Sequence, residues 1–503
     1  ETSTVYEDTK QQSVTTAPNG LQTAAQWDGS GLCCKTSSSN GDKNRETTYT
    51  RDDAGRIFST QHPNQKISYQ LCDSQGRVIY DINSLGCVTQ RVYNDKNRVI
   101  DKLQYATKID VSQLVPGQQT VATGKVGDAR RTINLYDLAD RLVRTLKGDG
   151  GVTGCFYDNA GRETSSTQYE TAVDFSVMPP GKITLQQATP ASGAGDRITR
   201  RLFNADDKQT YEQDGEGYVV QYLRDVADQL KCTASYKKAS APGDFHTATL
   251  GSFARELLYR DKRGQITGEV DAENYLTCTS STANGLKGKT VRYATPVDPT
   301  SSPILSQLIP KSDPEDHTVD YQYDTLNREI DAQKSNQSKV TKMYDVLDNV
   351  IKQTTLDTAP VKDGQTPDKK QFRYLYNHYG QILRELNPRA NALVSAILAD
   401  TSLTEAESQE KVIDIWNTQA TIYAYDDSGL RLSETSPGGQ TTFFYYNDAS
   451  ELVLSIGPTG SVREYTRNAF GDAESIRQYA TPYPDSELTK LTGGFLTTAV
   501  SQN

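Results

Sequence analysis

Tyr157-Asp-Asn-Ala-Gly-Arg162 is the stretch that decides the fold, because its turn chemistry returns along most of the chain. The side chain of Asp158 can accept a hydrogen bond from the backbone amide two residues on, which starts a type I turn. Gly161 supplies the positive φ that such a turn needs at its fourth residue. This pattern predicts the tip of a β-hairpin.

The same turn recurs fifteen times, and eight of the fourteen steps between successive copies are 21 residues long. Its first residues are Asp52, Asp73, Asn94, Asp137, Asp158, Asn204, Asp225, Asp261, Thr282, Asp324, Asp345, Asn377, Asp426, Asn447 and Asn468. A fixed period of this size is the signature of a repeat protein. Because about 21 residues hold two strands and two turns, the sequence predicts an all-β fold, a long antiparallel sheet of hairpins.

Residue types around the turn repeat as well. Gly, Asn or Asp fills the fourth position in fourteen copies, and Ser450 is the exception. A Tyr commonly precedes the turn and an Arg follows it, so we expect rings and Arg stems on neighbouring copies to stack as ladders. The residues to which we assign a structural role in the turns are Asp52, Gly55, Arg56, Asp73, Gly76, Arg77, Tyr136, Asp137, Tyr157, Asp158, Gly161, Arg162, Asp261, Gly264, Tyr323, Asp324, Tyr344, Asp345, Tyr425, Asp426, Gly429 and Gly471.

The motif Y-D-x-x-G-R at this period resembles the YD, or RHS, repeat family. Residues 157–162 match it in full, residues 136–141 and 323–328 match it nearly, and the resemblance spans residues 49 to about 480. Members of this family include bacterial Rhs polymorphic toxins, the B and C components of insecticidal toxin complexes, wall-associated bacterial proteins and the animal teneurins. The resemblance implies repeats that coil into a hollow β-shell or barrel-like spiral, which in the toxin branches holds a C-terminal toxic domain.

The function that this resemblance implies is a non-enzymatic shell fragment of a large, secreted bacterial toxin-type protein. Its expected partner is the remainder of the same polypeptide, with further repeats and a C-terminal effector domain that the shell encapsulates or presents. The alternative is a cell-surface adhesion module whose rim loops bind a glycan or a host receptor. Toxin members also carry a D-P-x-G self-cleavage segment, which this chain lacks. Either the segment lies downstream of this fragment or the parent protein is not a self-cleaving toxin, so the resemblance does not assign a protease activity to these residues.

Composition is typical of a sheet with water on both sides. Apolar residues make up 35% of the chain, which has 29 Tyr but only 11 Phe. A Tyr side chain combines packing surface with a polar end. A net charge of −10 argues against nucleic-acid binding, and the lack of an 18-residue apolar run argues against a membrane span. Because the chain begins with Glu1 and not Met, we expect it to be a fragment of a longer protein.

Signals for catalysis, metals and cofactors are weak. His62, His246, His317 and His378 stand apart, and the seven Cys include no C-x-x-C pair. No G-x-S-x-G motif is present. The many Asp residues are explained by the turns, so we predict no catalytic residue, no metal site and no cofactor.

Longer gaps interrupt the 21-residue period. Five turns are followed eleven residues on by a Tyr that opens an irregular stretch, at Tyr105, Tyr169, Tyr236, Tyr293 and Tyr479. We expect the insertions at about 106–128, 170–196, 237–252 and 294–318 to emerge along one rim or face. There they would either bind partners or cap the sheet edges.

One gap has helical spacing, from 391 to 419, and Thr404-Glu-Ala-Glu407 predicts a capping box. We expect two short helices, either as a plug or docking element or as a patch packed on the sheet. The expected divisions are an N-terminal segment with a possible degenerate repeat (1–48), the repeat shell (49–390), a helical insertion (391–420) and continuing repeats that fade (421–503).

Overall fold

A computed structural model of the chain describes residues 2–39, 44–225, 227, 229–238, 243, 245, 253–335, 338–357, 369–496 and 500. Within them, 35 strands form one sheet. Strands β1 to β34 pair antiparallel in chain order, and β35 pairs parallel with β31. The prediction of an all-β antiparallel sheet of hairpins is confirmed.

The first half of the sheet contains β1 (Ser3–Glu7), β2 (Gln12–Thr16), β3 (Gln22–Trp27), β4 (Cys33–Ser39), β5 (Asn44–Arg51), β6 (Ile57–Gln61), β7 (Ile67–Cys72), β8 (Val78–Ile82), β9 (Val88–Tyr93), β10 (Val99–Gln104), β11 (Arg130–Tyr136), β12 (Leu142–Lys147), β13 (Val152–Tyr157), β14 (Glu163–Gln168), β15 (Arg197–Phe203), β16 (Gln209–Gln213), β17 (Tyr218–Arg224) and β18 (Leu230–Lys238). The second half contains β19 (Phe253–Arg260), β20 (Ile266–Val270), β21 (Leu276–Ser281), β22 (Lys287–Arg292), β23 (His317–Tyr323), β24 (Glu329–Lys334), β25 (Ser338–Tyr344), β26 (Val350–Asp357), β27 (Lys369–Tyr376), β28 (Ile382–Leu386), β29 (Thr421–Tyr425), β30 (Arg431–Thr435), β31 (Thr441–Tyr446), β32 (Leu452–Ile456), β33 (Val462–Arg467), β34 (Ala473–Gln478) and β35 (Gly494–Phe495). The sheet therefore already begins within the N-terminal segment.

Four α-helices accompany the sheet: α1 (Leu305–Leu308), α2 (Pro388–Ala399), α3 (Glu405–Thr418) and α4 (Asp485–Leu488). Short 3-10 turns lie at Asp8–Lys10, Val111–Gln113 and Val126–Asp128. The capping box between Thr404 and Glu407 is present. Helix α2 begins at Pro388, three residues earlier than predicted, because Pro fits the first helical turn and Asn387 caps it. None of these four helices is long and apolar enough to cross a membrane.

The strands are joined by the same four-residue turn at both of their ends, and we call each row of turns an edge of the sheet. On the edge with the fifteen predicted turns, called the YD edge, Gly55 has φ 77° and its amide donates to the Asp52 carbonyl. On the opposite edge, Gly86 has φ 79° and its amide donates to the Asn83 carbonyl in the same way. Equivalent turns on the opposite edge lie at 17–20, 62–65, 147–150, 214–217, 271–274, 436–439 and 457–460. Each repeat is thus two strands joined by two turns of one type.

One face of the sheet carries most of the buried side chains. Strand register places Leu103 opposite Arg131, and Ile133 opposite both Asp101 and Leu146, on this face. Residues of the insertions pack against it, including Phe175 beside Leu146 and Leu308 beside Val270. We call it the insertion face and the other one the tyrosine face.

The insertions leave the sheet by one recurring set of backbone bonds. The amide of Tyr105 donates to the Val88 carbonyl, and four residues later the amide of Ile109 donates to the Gly86 carbonyl of the opposite-edge turn. The same two bonds recur at Tyr169 and Val173, at Tyr293 and Val297, and at Tyr479 and Tyr483. These insertions therefore fold back over the opposite edge onto the insertion face. The insertion predicted at 237–252 lies almost entirely outside the described residues.

Helices α2 and α3 also pack on the insertion face. Ala390 and Val394 of α2 are buried with Ile415 of α3 against Leu386 of the sheet. Of the apolar residues whose spacing predicted the helices, Val394, Ile397, Val412 and Trp416 pack in this cluster. Leu393, Leu398 and Ile413 are exposed. This packing agrees with the helical-patch alternative.

A buried ion pair fixes the insertion of residues 170–196. The Arg131 and Asp101 side chains are 2% and 0% exposed. The Arg131 Nε donates to Asp101 Oδ1 at 2.9 Å, and Nη1 donates to the carbonyls of Phe175 (3.1 Å) and Met178 (2.8 Å). The Gly181 amide donates to Asp101 Oδ2 at 2.8 Å. Since a buried charge is tolerated only when it is paired and hydrogen-bonded, this cluster determines where the insertion can lie.

Candidate functional site: the turn ladder and the seam

The turn at Asp158 shows how one repeat closes. Asp158 Oδ1 accepts from the amides of Ala160 (2.9 Å) and Arg162 (3.0 Å). Its Oδ2 accepts from Nε and Nη2 of Arg162, both at 2.7 Å. Nε and Nη2 of the Arg contact the Asp in the same way between Asp52 and Arg56, Asp73 and Arg77, and Asp137 and Arg141. Arg328 Nε donates to Asp324 Oδ2, also at 2.7 Å. The Arg after the turn therefore belongs to the turn itself.

The same Arg also joins its turn to the next one. Nη1 of Arg141 donates to the Asp158 carbonyl at 3.2 Å, and Nη1 of Arg328 donates to the Asp345 carbonyl at 2.9 Å. Arg56, Arg77 and Arg162 make this bond to the carbonyls of Asp73, Asn94 and Asn204. Successive YD turns are thus linked side by side along one edge, an arrangement that we call the turn ladder.

Where a Tyr precedes the turn, it completes the ladder on the tyrosine face. The Arg141 guanidinium lies 4.7 Å from the Tyr157 ring centre, within cation–π range. The Tyr157 hydroxyl donates to the Leu142 carbonyl at 2.8 Å. Tyr93, Tyr344, Tyr376 and Tyr446 make the same backbone bond, and Tyr136, Tyr323 and Tyr425 occupy the same strand end.

Several copies reach the same geometry with other residues. Arg260 replaces the Tyr before its turn, and its guanidinium donates to the carbonyls of Gly264 and Leu230. Asp345 bonds Asn349 in place of an Arg. Ser450, the exception at the fourth position, has φ 65° and keeps the turn. Gly264, Gly429 and Gly471 have positive φ as well, whereas Asp228 lies outside the described residues.

The structure contains a further copy within residues 1–48, where the sequence suggested a degenerate repeat without giving its position. Asp28 Oδ1 accepts from the amides of Ser30 (2.9 Å) and Leu32 (3.0 Å), and Gly31 has φ 75°. Trp27 precedes this turn where other copies have Tyr, and the turn falls off the 21-residue spacing. The Asp-x-x-Gly pattern alone was the available signal. Residues 28–31 are thus a degenerate copy within the N-terminal segment.

Replacing Gly161 with Val should destabilise the protein by about 1–3 kcal/mol. Gly161 has φ 85°, and an added Cβ would meet no atom within 4 Å, so the cost is backbone strain alone. Gly161→Asn should cost less, because Asn97 and Asn327 hold φ of 62° and 64° at the same turn position. Thermal unfolding of both variants measures the difference, and equal melting of the Val and Asn variants would contradict the assigned strain.

Acid should weaken the turn ladder. Hydrogen bonding from the Arg162 amide, opposed by burial and aided by the Arg162 guanidinium, lowers the pKa of Asp158; the pKa values of Asp137 and Asp324 are lowered similarly. A carboxylate whose pKa is lower in the folded than in the unfolded protein stabilises the fold at pH values above its unfolded pKa of about 3.9. This stabilisation is lost as the pH falls through the folded pKa. We therefore expect the melting temperature to fall steeply below about pH 4. Asp158→Asn keeps the turn and should show a shallower fall.

Turns from distant parts of the chain meet along a second line, which we call the seam. The Asn19 side chain in an opposite-edge turn donates to the carbonyl of His378 in a YD turn at 3.0 Å, across 359 residues. Nearby, Nη2 of Arg45 donates to Gln381 Oε1 at 2.9 Å, and its guanidinium lies 3.6 Å from the Tyr379 ring centre. The sheet therefore coils back on itself.

The seam has further contacts at later YD turns. Lys66 Nζ lies 2.5 Å from the Asp448 carboxylate, and Asn64 bonds Ser450. Further along, Arg130 pairs with Asp472 and lies 4.6 Å from the Phe470 ring centre. At each point an opposite-edge residue of an early strand meets a YD turn of a late strand. The coil is held by side chains here, and no strand pairing among the described residues closes the sheet.

Chemically, the ladder and the seam are arrangements of hydrogen bonds, ion pairs and cation–π contacts. The ladder joins neighbouring hairpins and stiffens the sheet, while the seam joins one circuit of the coil to the next.

Solved structures similar to this chain are those of Photorhabdus Tc toxins. The Tc holotoxin pore of Photorhabdus luminescens, carrying a TccC3 mutation, is 14% identical with a TM-score of 0.49, over 95% of this chain and 25% of that chain. The TcdB2-TccC3 structure is 13% identical with a TM-score of 0.48 over the same shares. This chain spans about a quarter of their length. No protein-family model and no curated protein matches the chain.

Proposed function

We propose that this chain is a section of the wall of a hollow, toxin-type shell. The wall would enclose an effector domain that belongs to the same longer polypeptide. The observation that carries this proposal is the seam, because a sheet that meets its own earlier strands surrounds a volume. The YD-repeat resemblance of the turns supports the toxin-type assignment, and a secreted, extracellular protein follows from it.

The proposed role is mechanical and not enzymatic. Ladder residues such as Asp158 and Arg162 are committed to one another and to backbone atoms. Such groups hold a surface in shape but are not available to donate or accept protons in a reaction. The adhesion alternative would use insertion loops as binding surfaces, and the described insertions pack on the sheet through buried residues such as Phe175 and Leu308.

Thiol labelling of opposite faces tests the enclosure. Ser165 and Ser166 are neighbours on β14 and are both half-buried. Their side chains point to the insertion face and the tyrosine face respectively, since side chains alternate along a strand. We would make Ser165→Cys and Ser166→Cys separately and locate the label by mass spectrometry. A wall predicts that a small maleimide reaches both faces, while one with a long polyethylene glycol chain reaches only the outer one.

A second pair distinguishes enclosure from local shielding by an insertion. Ser433 and Ser455 lie on the insertion face and the tyrosine face of the late strands. Enclosure requires the same face to be protected at both pairs of positions. Equal reaction of both faces with the large reagent would refute the enclosing wall.

A further inference from the structure

Two cations lie opposite each other on the insertion face. Lys352 of β26 and Arg373 of β27 are direct register partners. Like charges directly opposite on adjacent strands destabilise the pair. Two other cations on this face do pair with acids: Lys339 with Asp331 at 2.5 Å, and Lys289 with Asp320 at 3.2 Å. Among the described residues, Lys352 and Arg373 have no carboxylate partner.

Both cations are partly withdrawn from water. Burial, followed by the charges of Arg373 and Lys369, lowers the pKa of Lys352. Burial also lowers the pKa of Arg373. The Nε atom of Arg373 is buried and meets no acceptor within the described part of the chain. This pair therefore costs folding energy that nothing nearby in the described structure offsets.

The start of helix α2 lies beside this pair. Arg373 is the register partner of Leu386, which is followed by the helix cap Asn387. Asn391, in the first turn of α2, is 1% exposed and donates to the Gln371 carbonyl at 3.0 Å. Its Oδ1 is buried and receives no donor from the described residues. A buried donor, Arg373 Nε, and a buried acceptor, Asn391 Oδ1, thus both lack a hydrogen-bond partner among the described residues at this part of β27.

The N-terminus of α2 adds positive potential. Helix N-termini carry a partial positive charge and are commonly complemented by acids in the first turn. The first turn of α2 contains no acid, whereas α3 has Glu405 and Glu407 there. The helix end, Lys352 and Arg373 thus lack negative charge in the described structure.

We propose that Lys352, Arg373 and the first turn of α2 bind an oxyanion of the phosphate or carboxylate class. The two cations supply donors to its oxygens. Asn391 Oδ1 requires a donor, which a protonated phosphate oxygen supplies directly and a carboxylate supplies through an ordered water. This site is independent of the proposed shell function, because it stands on local contacts in β26, β27 and α2.

Thermal unfolding in matched salts tests the site. Inorganic phosphate should raise the melting temperature of the natural protein above its value in sodium chloride of equal ionic strength. The double variant Lys352→Met/Arg373→Met should lose this difference. It should also melt in chloride at the same or a higher temperature than the natural protein, because the like-charge repulsion is gone. Acetate in place of phosphate tells a carboxylate site from a phosphate site.

A charge-matched control separates the site from general salt effects. Lys102→Met/Arg463→Met removes the same charge from exposed positions on the tyrosine face and should keep the phosphate response. The single variant Lys352→Met, at a half-buried position, covers the case in which the double variant fails to fold, and it should show a reduced response. A response that survives in the site variants, or no response to either anion in the natural protein, overturns the proposal.

Discussion

Replacing Arg131 with Met should destabilise the protein by about 3–5 kcal/mol, because it leaves the buried Asp101 carboxylate without its cation. Three backbone carbonyls, those of Phe175, Met178 and Pro179, would lose donors as well. The loss should be centred on the insertion of residues 170–196. Hydrogen exchange of the Gly181 amide, together with thermal unfolding, measures both effects.

The matched control is Arg98→Met. Arg98 pairs with Asp140 at 3.0 Å, but the Arg98 side chain is 55% exposed, and exposed pairs contribute about 0–1 kcal/mol. A double variant, Asp101→Leu/Arg131→Met, should recover part of the loss, since it removes both buried charges. Similar melting of the Arg131 and Arg98 variants would show that burial does not decide the strength of the pair.

Removing the seam cations should open the coil while the strands remain intact. The triple variant Arg45→Ala/Lys66→Ala/Arg130→Ala removes the contacts to Tyr379, Asp448 and Asp472. Each contact contributes only about 0.2–1 kcal/mol, so the sheet itself should stay folded. The expected result is a larger radius of gyration in small-angle X-ray scattering with unchanged far-ultraviolet circular dichroism.

The control triple variant Lys10→Ala/Arg263→Ala/Lys490→Ala removes the same charge from ion pairs that do not cross the seam. It should keep the dimensions of the natural protein. High salt offers a second test, because it screens exposed ion pairs and should expand the natural protein but not the opened variant. A triple seam variant as compact as the control would mean that something else holds the circuits together.

The sequence predicted the features that depend on residues close together in the chain. The turn at Asp158 needs particular residues at fixed offsets, so its copies, the hairpins and the capping box of α3 could be read directly. The opposite-edge turns were expected from the length of the period, but their positions could not be assigned because their first residue varies, from Asn83 to Gly457. The seam was beyond reach, since Asn19 and His378 are 359 residues apart and no pattern links them.

The buried pair of Asp101 and Arg131 was missed for a related reason. Both residues fall on strands whose alternation predicts an exposed or half-buried sheet, and only the insertion that covers them buries them. An insertion without periodicity has no sequence signal for where it will lie. The unpartnered Lys352 and Arg373 likewise become visible only when strand register is known.

Because a repeat has two strands and two turns, its length has a consequence for how such a chain can grow during evolution. Duplicating one repeat in the gene returns the polypeptide to the same edge, in the same direction and with the same face outward. The new Arg can then bond the next turn as Arg141 bonds the Asp158 carbonyl. Copying a single strand would reverse the chain and leave its ladder residues on the wrong edge. Whole repeats are therefore the units by which a lineage can lengthen or shorten this sheet.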